Sequence, residues 1–431
     1  VAAAVEQRAE AHVRRLQALV QAASDGEEAT QAWVASALGE AGCAVESFRY
    51  APRALSAPHQ FARGAGDSGE RTCVVGRLGP PAAGAARLLL FAHPDVEPVA
   101  GVERWRHAPF AGVAENGRIY GWGVADDLAG VATMLGALEA VRDAGLTLRR
   151  GLIAASTPSK RSGLGIVALL DRGQRAEGAV YLHPAESGRG LAEIKAVTCG
   201  LLRFRLTVTG RPADTREPEQ TPFHHHAVNP IEKACDLAGA LRALAERRAG
   251  RVRHAALEAA IGRATNLQLA YLHAGDPGLL GRVSETCVLG GTVTFPPDER
   301  MEDVQKELED AVTGAAAGDP WLREHAPALE WLAGVRGAAV APDDPLHRAL
   351  GAAIRAVTGR DPAVNALHAS SDIGHPILHA GIPTIGFGPL AGDLAQAGGH
   401  DEWVDVADYI RAITVTARLV ADRCDTDEAG P

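Results

Sequence analysis

The chain has 431 residues, 46% of them hydrophobic and 22% charged, which at roughly 150 residues per domain is material for two or three domains. Its formal net charge of -10 excludes a general nucleic-acid binder, because counterion release needs a basic face. Six cysteines (Cys43, Cys73, Cys199, Cys235, Cys287 and Cys424) stand apart without a C-x-x-C pair, so neither a disulfide framework nor a cysteine zinc site is indicated. No apolar run approaches the ~20 residues of a membrane span, and VAAAVEQRAEAHVRR reads as a charged helix rather than a signal peptide. The expectation is a cytoplasmic protein with a small-molecule substrate and no nucleic-acid or membrane partner.

To about Ala44 the chain reads as two amphipathic helices. Val13, Leu16, Leu19 and Val20 fall at helical spacing, and Ser24-Asp25-Gly26 breaks the pattern before a second helix from Glu27 to about Leu38. Short apolar runs follow at Arg87–Ala92, Leu152–Ser156 and Gly178–Leu182, with helical patterns at Leu128–Ala144 and Leu164–Arg172 between them. Continuous apolar strands alternating with helices describe a βαβ layout and a sheet buried on both faces.

Near Cys199 the texture changes. Leu201–Gly210 alternates apolar with polar, as a strand with one wet face does. A long helix over Pro230–Arg248, the strand-like LQLAYLHAG and TCVLGGTVTF, and a helix over Met301–Thr313 complete a smaller α+β unit. The arginine-rich stretch Arg242–Arg253 reads as a solvated face. Helix (Pro345–Thr358), strand (Pro383–Gly386) and helix (Tyr409–Arg423) then resume the first pattern. The expected architecture is α/β, a mixed sheet with helices on both faces formed by residues 1–198 and 335–431, with residues 199–334 inserted as a separate module.

Ligands of open α/β sheets gather at the carboxyl ends of strands. There RLLLFA runs into His93-Pro94-Asp95, LIAAS into Thr157-Pro158-Ser159-Lys160-Arg161, and GAVYL into His183-Pro184. GRIYGWG leads to Ala125-Asp126-Asp127, and IPTIGFGPL precedes Gly399-His400-Asp401-Glu402.

Taken in order, HPDVEP, GRIYGWGVADDLAG, VTGRPAD, NPIEKA, GGTVTFPPDE and GIPTIGFGP…GGHDE resemble the M20 family of metallopeptidases over nearly the whole chain. The resemblance implies a zinc-peptidase-like fold whose inserted module is a lid and dimerisation domain, hence a homodimer through the lid. It also implies two zinc ions bridged by an aspartate, with a glutamate as general base. Position by position, His93, Asp126 and His400 match the first histidine, the bridging aspartate and the last histidine, and Asp95 matches the carboxylate that orients the His93 imidazole. Gly388, Ser371 and Asp372 fall where the family binds the substrate's carboxylate end or backbone.

The match breaks where the chemistry is densest. The family's T-x-E-E-x-G-S-x-G reads TPSKRSGLG here, so Ser159, Lys160 or Arg161 stand where a general base and a metal ligand belong. The family's E-P dipeptide becomes His183-Pro184, and the lid histidine that holds the oxyanion becomes Asp214. Two zinc ions bring four positive charges, and of the three expected carboxylate ligands only Asp126 remains. At ~4 Å and an effective dielectric near 20, each unit-charge contact is worth roughly 4 kcal/mol, so a cation in place of a ligand removes the second metal site.

His93, Asp126 and His183 still form a two-histidine, one-carboxylate set able to hold one divalent ion, zinc first. An equally open alternative is a degenerate site with no metal and a buried polar network. Substitutes for the missing base are Glu186, the lid histidines ending in His226, and Lys160, whose desolvation beside Arg161 suggests a lowered pKa and service as base or amine nucleophile. A solvated loop remains the alternative for Lys160 and Arg161, and an exposed lid loop for His224-His225-His226. Three functions follow: altered chemistry on an amino-acid or acyl-amino-acid-like substrate (acyl transfer, condensation or elimination), a metal-dependent amide hydrolase with relocated ligands, or an inactive binding or scaffold protein.

Overall fold

The structure, a computed structural model, describes all residues except 63–68, 82–83, 161–162, 370, 396–397 and 429–431. Its larger sheet has eight strands. Across it run Ala44–Tyr50, Arg71–Leu78, Leu152–Ser156, Leu88–Ala92, Ala179–Leu182, Thr384–Phe387, Glu193–Lys195 and Ala363–Asn365. The four central strands, Leu152–Ser156 to Thr384–Phe387, are mutually parallel. Every residue in these four is buried, as their unbroken apolar sequences require when helices cover both faces.

The helix Ala129–Asp143 lies against this sheet and is buried on nearly every side. Its small residues permit the close approach. A Cβ at Gly130 would fall 1.8 Å from the Leu182 carbonyl oxygen, so only glycine lets the helix start lie against the strand end that carries His183. Val406–Arg423 packs beside it with Tyr409, Ile413 and Leu419 fully buried.

A second sheet is wholly antiparallel: Asn266–Ala274, Thr286–Phe295, Gly200–Thr209, Ala328–Val335 and Gln60–Ala62. Gly200–Thr209 buries Leu202, Phe204, Leu206 and Val208 beneath the helices Pro230–Arg251 and Met301–Ala317, and leaves Arg203 and Arg205 exposed. Two of its strands carry no clear sequence signal. Ala328–Val335 lacks strict alternation, and Gln60–Ala62 comes from far upstream, recruited by pairing with Ala333–Val335.

The arginine stretch is not solvated throughout. Arg248 is 1% exposed, its guanidinium held by Glu299 at 2.6 Å and by Glu307 and Thr265. Desolvating that cation is tolerable because its hydrogen bonds are met by two carboxylates.

Candidate active site at the strand ends

The carboxyl ends of the parallel strands open into a cleft of about 970 Å³. His93, Ser159, Lys160 and His183 line it from these ends, and Phe61 and Arg203 from the antiparallel sheet. Asp126 is its hub. The Nε2 atoms of His93 and His183 lie 2.8 and 3.1 Å from Asp126 Oδ1, and the Lys160 ammonium donates to Oδ2. Burial alone would raise the Asp126 pKa, but the two imidazoles hold its carboxyl well below the usual range.

This pairing corrects the expectation of a lowered Lys160 pKa. Burial does pull the ammonium down, but the Asp126 carboxylate outweighs it and the pKa is raised. Lys160 is therefore a fixed cation rather than a ready base or amine nucleophile. His93 follows the same logic: burial opposes its charged form, yet Asp126 and Asp95 raise its pKa well above the ordinary value.

Asp95 does more than face the imidazole, 3.3 Å from His93 Nδ1. It accepts the main-chain N–H groups of Ser159 and Lys160, each at 2.8 Å, and the Arg71 guanidinium at 2.8 Å. Four percent exposed, it stays ionised because the neighbouring His93 imidazole, the charge of Arg71 and the Ser159 N–H overcome its burial. This carboxylate fixes the loop that delivers Ser159 and Lys160 to the cleft.

Sequence reading gave no role to three charged or titratable neighbours. Lys195, 4% exposed, places Nζ 2.6 Å from His183 Nδ1 and 2.8 Å from the Pro184 carbonyl oxygen, and burial lowers its pKa. Its rarity, as one of four lysines, was the available signal. Asp127 accepts the His93 N–H at 3.1 Å, and burial raises it to about 7. Glu402 is 1% exposed. Burial, then the charge of Asp126, raises it to about 7, and its Oε1 has no hydrogen-bond partner.

The remaining candidates are spread out. Glu186 lines the cleft and opposes the fall in the Lys195 pKa, but stands outside the one three-donor group found among the described residues, His93–Asp126–His183. His400 is outside that group too, its ring edge-on to Trp105 with centroids 6.1 Å apart. Asp214 and His226 are exposed and do not line the cleft, and the three-residue histidine run forms a 3₁₀ turn at Thr221–His226. Ser371 and Asp372 do line it. A Cβ at Gly388 would meet the His183 carbonyl oxygen at 2.3 Å, so its glycine serves close backbone approach. Arg161 lies outside the described residues.

A two-ion centre does not fit this donor set. The second carboxylate oxygen of Asp126 is taken by an ammonium, and a divalent ion beside that cation would meet Coulomb repulsion. A single ion does fit: His93, Asp126 and His183 offer donor atoms within 4.8 Å of one another. The Pro184 carbonyl, 2.9 Å from His183 Nδ1, can accept the second ring N–H as metal-bound histidines require.

Comparison with known proteins agrees with this architecture. Residues 89–422 match the model of peptidase family M20/M25/M40. A succinyl-diaminopimelate desuccinylase of Methylobacterium radiotolerans is 31% identical over 401 residues, covering 90% of each chain. An N-formyl-4-amino-5-aminomethyl-2-methylpyrimidine deformylase of Bacillus subtilis is 26% identical over 415 residues, covering 92% of this chain and 89% of that one. The fold superposes on an M20 family metallo-carboxypeptidase of Sulfolobus solfataricus with a TM-score of 0.69 at 15% identity, over 96% of this chain and 99% of the other. The strand-end cleft, the mixed sheet and this match over most of the length give one conclusion: the chain belongs to peptidase family M20/M25/M40.

Proposed function

We propose that the cleft processes the acyl–nitrogen linkage of an amino-acid or acyl-amino-acid-like substrate by chemistry that does not pass through a metal-pair hydroxide. The observation that carries this reading is the Lys160 ammonium on Asp126 Oδ2. Lys160, which lines the cleft, is a donor suited to a carbonyl oxygen as negative charge develops on it. Arg203, exposed on the opposite wall, suits a substrate carboxylate. With no glutamate in the Ser159–Lys160 loop to activate water, acyl transfer, condensation or elimination suits these residues better than hydrolysis. The relatives named as a deformylase and a desuccinylase support the acyl-substrate class. A homodimer built on the outer strand Asn266–Ala274, where Tyr271 and Leu272 are more than half exposed, belongs to the same reading and is tested by light scattering.

A second reading has its own observation, the Pro184 carbonyl on His183 Nδ1. His93, Asp126 and His183 would then hold one divalent ion, zinc first, which supplies Lewis-acid polarisation when bound. Elemental analysis of protein purified without chelator, followed by turnover of N-formyl and N-succinyl amino acids with and without chelator, separates the two. No more than one ion per chain and turnover that survives chelation is the expected result. Two ions per chain overturn the proposal, and one ion with chelator-sensitive turnover favours the second reading. Absence of any turnover leaves a binding protein.

A further inference from the structure

We propose that His59, His375 and His379 form a zinc site apart from the cleft triad, one that pins the strand Gln60–Ala62 to the helix Gly374–Ala380. The inference stands independently of the acyl-substrate reading. His375 and His379 are four residues apart in GHPILHA, so they share one face of the helix, the spacing that lets two imidazoles reach one ion. His59 meets both from the segment that joins the antiparallel sheet. Its ring centroid lies 5.1 Å from that of His375 and 6.1 Å from that of His379. Two imidazoles on one tetrahedral zinc, with Zn–N bonds of ~2.0–2.1 Å, hold their centroids roughly 5 Å apart.

The rings are also prepared as ligands. A metal-bound histidine turns its second ring nitrogen to a carboxylate or carbonyl, which fixes the tautomer and the ring. His379 Nε2 lies 2.7 Å from Asp171 Oδ1, and His375 Nε2 faces Asp372 Oδ1 at 3.8 Å, which leaves Nδ1 of each for an ion. His375 Nδ1 already meets His59 Nε2 at 2.8 Å, and His59 Nδ1 is buried without a hydrogen-bond partner. Burial first, and neighbouring imidazoles after it, lower the pKa values of His59 and His375 to about 4 and about 3. Both are uncharged at neutral pH, the form that binds metal.

The three donor nitrogens do not converge in the structure, because His59 and His375 hydrogen-bond each other instead. An ion takes the place of that bond. The two nitrogens part from 2.8 Å to the roughly 3.3 Å of adjacent ligands in a tetrahedron, and the proton between them moves to His59 Nδ1. His379, with 14% of its side chain exposed, turns in, and Asp171, 40% exposed, marks the way from solvent. None of these side chains belongs to the His93–Asp126–His183 group. The bound ion would join segments 316 residues apart, one leading into the antiparallel sheet and one on a helix of the larger unit.

The test is zinc calorimetry on the full chain carrying His93→Ala and His183→Ala, which strip the cleft triad of its imidazoles. The expected result is one zinc per chain, with affinity falling ~10-fold or more when His379→Ala or Asp171→Asn is added. These two positions are partly exposed, so circular dichroism should match the parent. Cobalt(II) used in place of zinc should give the visible bands of a four-coordinate site, lost in His379→Ala. No zinc taken up by the His93→Ala/His183→Ala chain, or uptake unchanged by His379→Ala, overturns the proposal. In the otherwise native chain, a second ion that His379→Ala removes belongs to this site and leaves the cleft reading standing. Two ions that both persist in His379→Ala overturn this site and that reading together.

Discussion

Two groups of histidines in this molecule have opposite fates. His224, His225 and His226 form a conspicuous run, yet all three are exposed on one turn. His59 and His375 lie 316 residues apart and meet at 2.8 Å, only 2% and 3% exposed. Burial lowers their pKa values to about 4 and about 3, so both are neutral where an exposed imidazole begins to charge. The lesson is that density of a residue type in sequence says little about its chemistry; desolvation and specific partners decide it.

That contrast can be broken or sharpened by experiment. The largest effect should come from breaking a buried charge pair. Arg71→Met leaves buried Asp95 without its cation and should lower unfolding free energy by ~3–5 kcal/mol, read by urea denaturation; a change below 1 kcal/mol would mean the network is not cooperative. Next is the buried histidine pair. The folded chain resists protonating His59 until about pH 4, whereas the unfolded chain binds that proton near 6.5. Its stabilisation is therefore present above 6.5 and is lost as pH falls, by about 3 kcal/mol near pH 4. Urea midpoints measured from pH 7 to 4 should show this slope, and His59→Asn should flatten it.

A smaller effect is expected at Lys195. Lys195→Met removes the group 2.6 Å from His183 Nδ1 and leaves that nitrogen to the Pro184 carbonyl. Zinc affinity by calorimetry should then tighten ~10-fold; unchanged affinity would separate Lys195 from the triad. Smallest of all, Asp214→Ala and His226→Ala should shift stability by no more than ~0.5 kcal/mol and leave kcat/KM as it was. A marked loss of turnover there would bring this exposed region into the reaction and end the contrast.

Much of the frame was legible because it follows periodicity. The runs at Leu88–Ala92, Leu152–Ser156 and Ala179–Leu182 are strands, and the residues just beyond them do gather in one cleft. The replacement of the glutamate pair by Ser159 and Lys160 was readable for the same reason, since motif order fixes position. The direction of the Lys160 pKa was not, because its adjacent cation Arg161 is visible in sequence while its partner Asp126 is 34 residues away. Lys195 and the His59–His375 pair were missed, Glu402 was given no role and Arg248 was read as solvated, on similar grounds. Their partners are distant in sequence, and no spacing rule announces them. Strand Ala328–Val335 was missed because a bulge opposite Arg203 and Phe204 interrupts the alternation that would have marked it.

The short strand Gln60–Ala62 ties the two sheets mechanically. It follows His59 directly, and the His59 carbonyl oxygen accepts the Arg336 N–H at 2.9 Å, so this histidine is anchored beside the antiparallel sheet by its backbone and to the helix Gly374–Ala380 by its ring. A rigid swing of the upper sheet would drag His59 with it and stretch or break its bond to His375, making the tether a strain gauge between cleft opening and the polar chain behind Asp372.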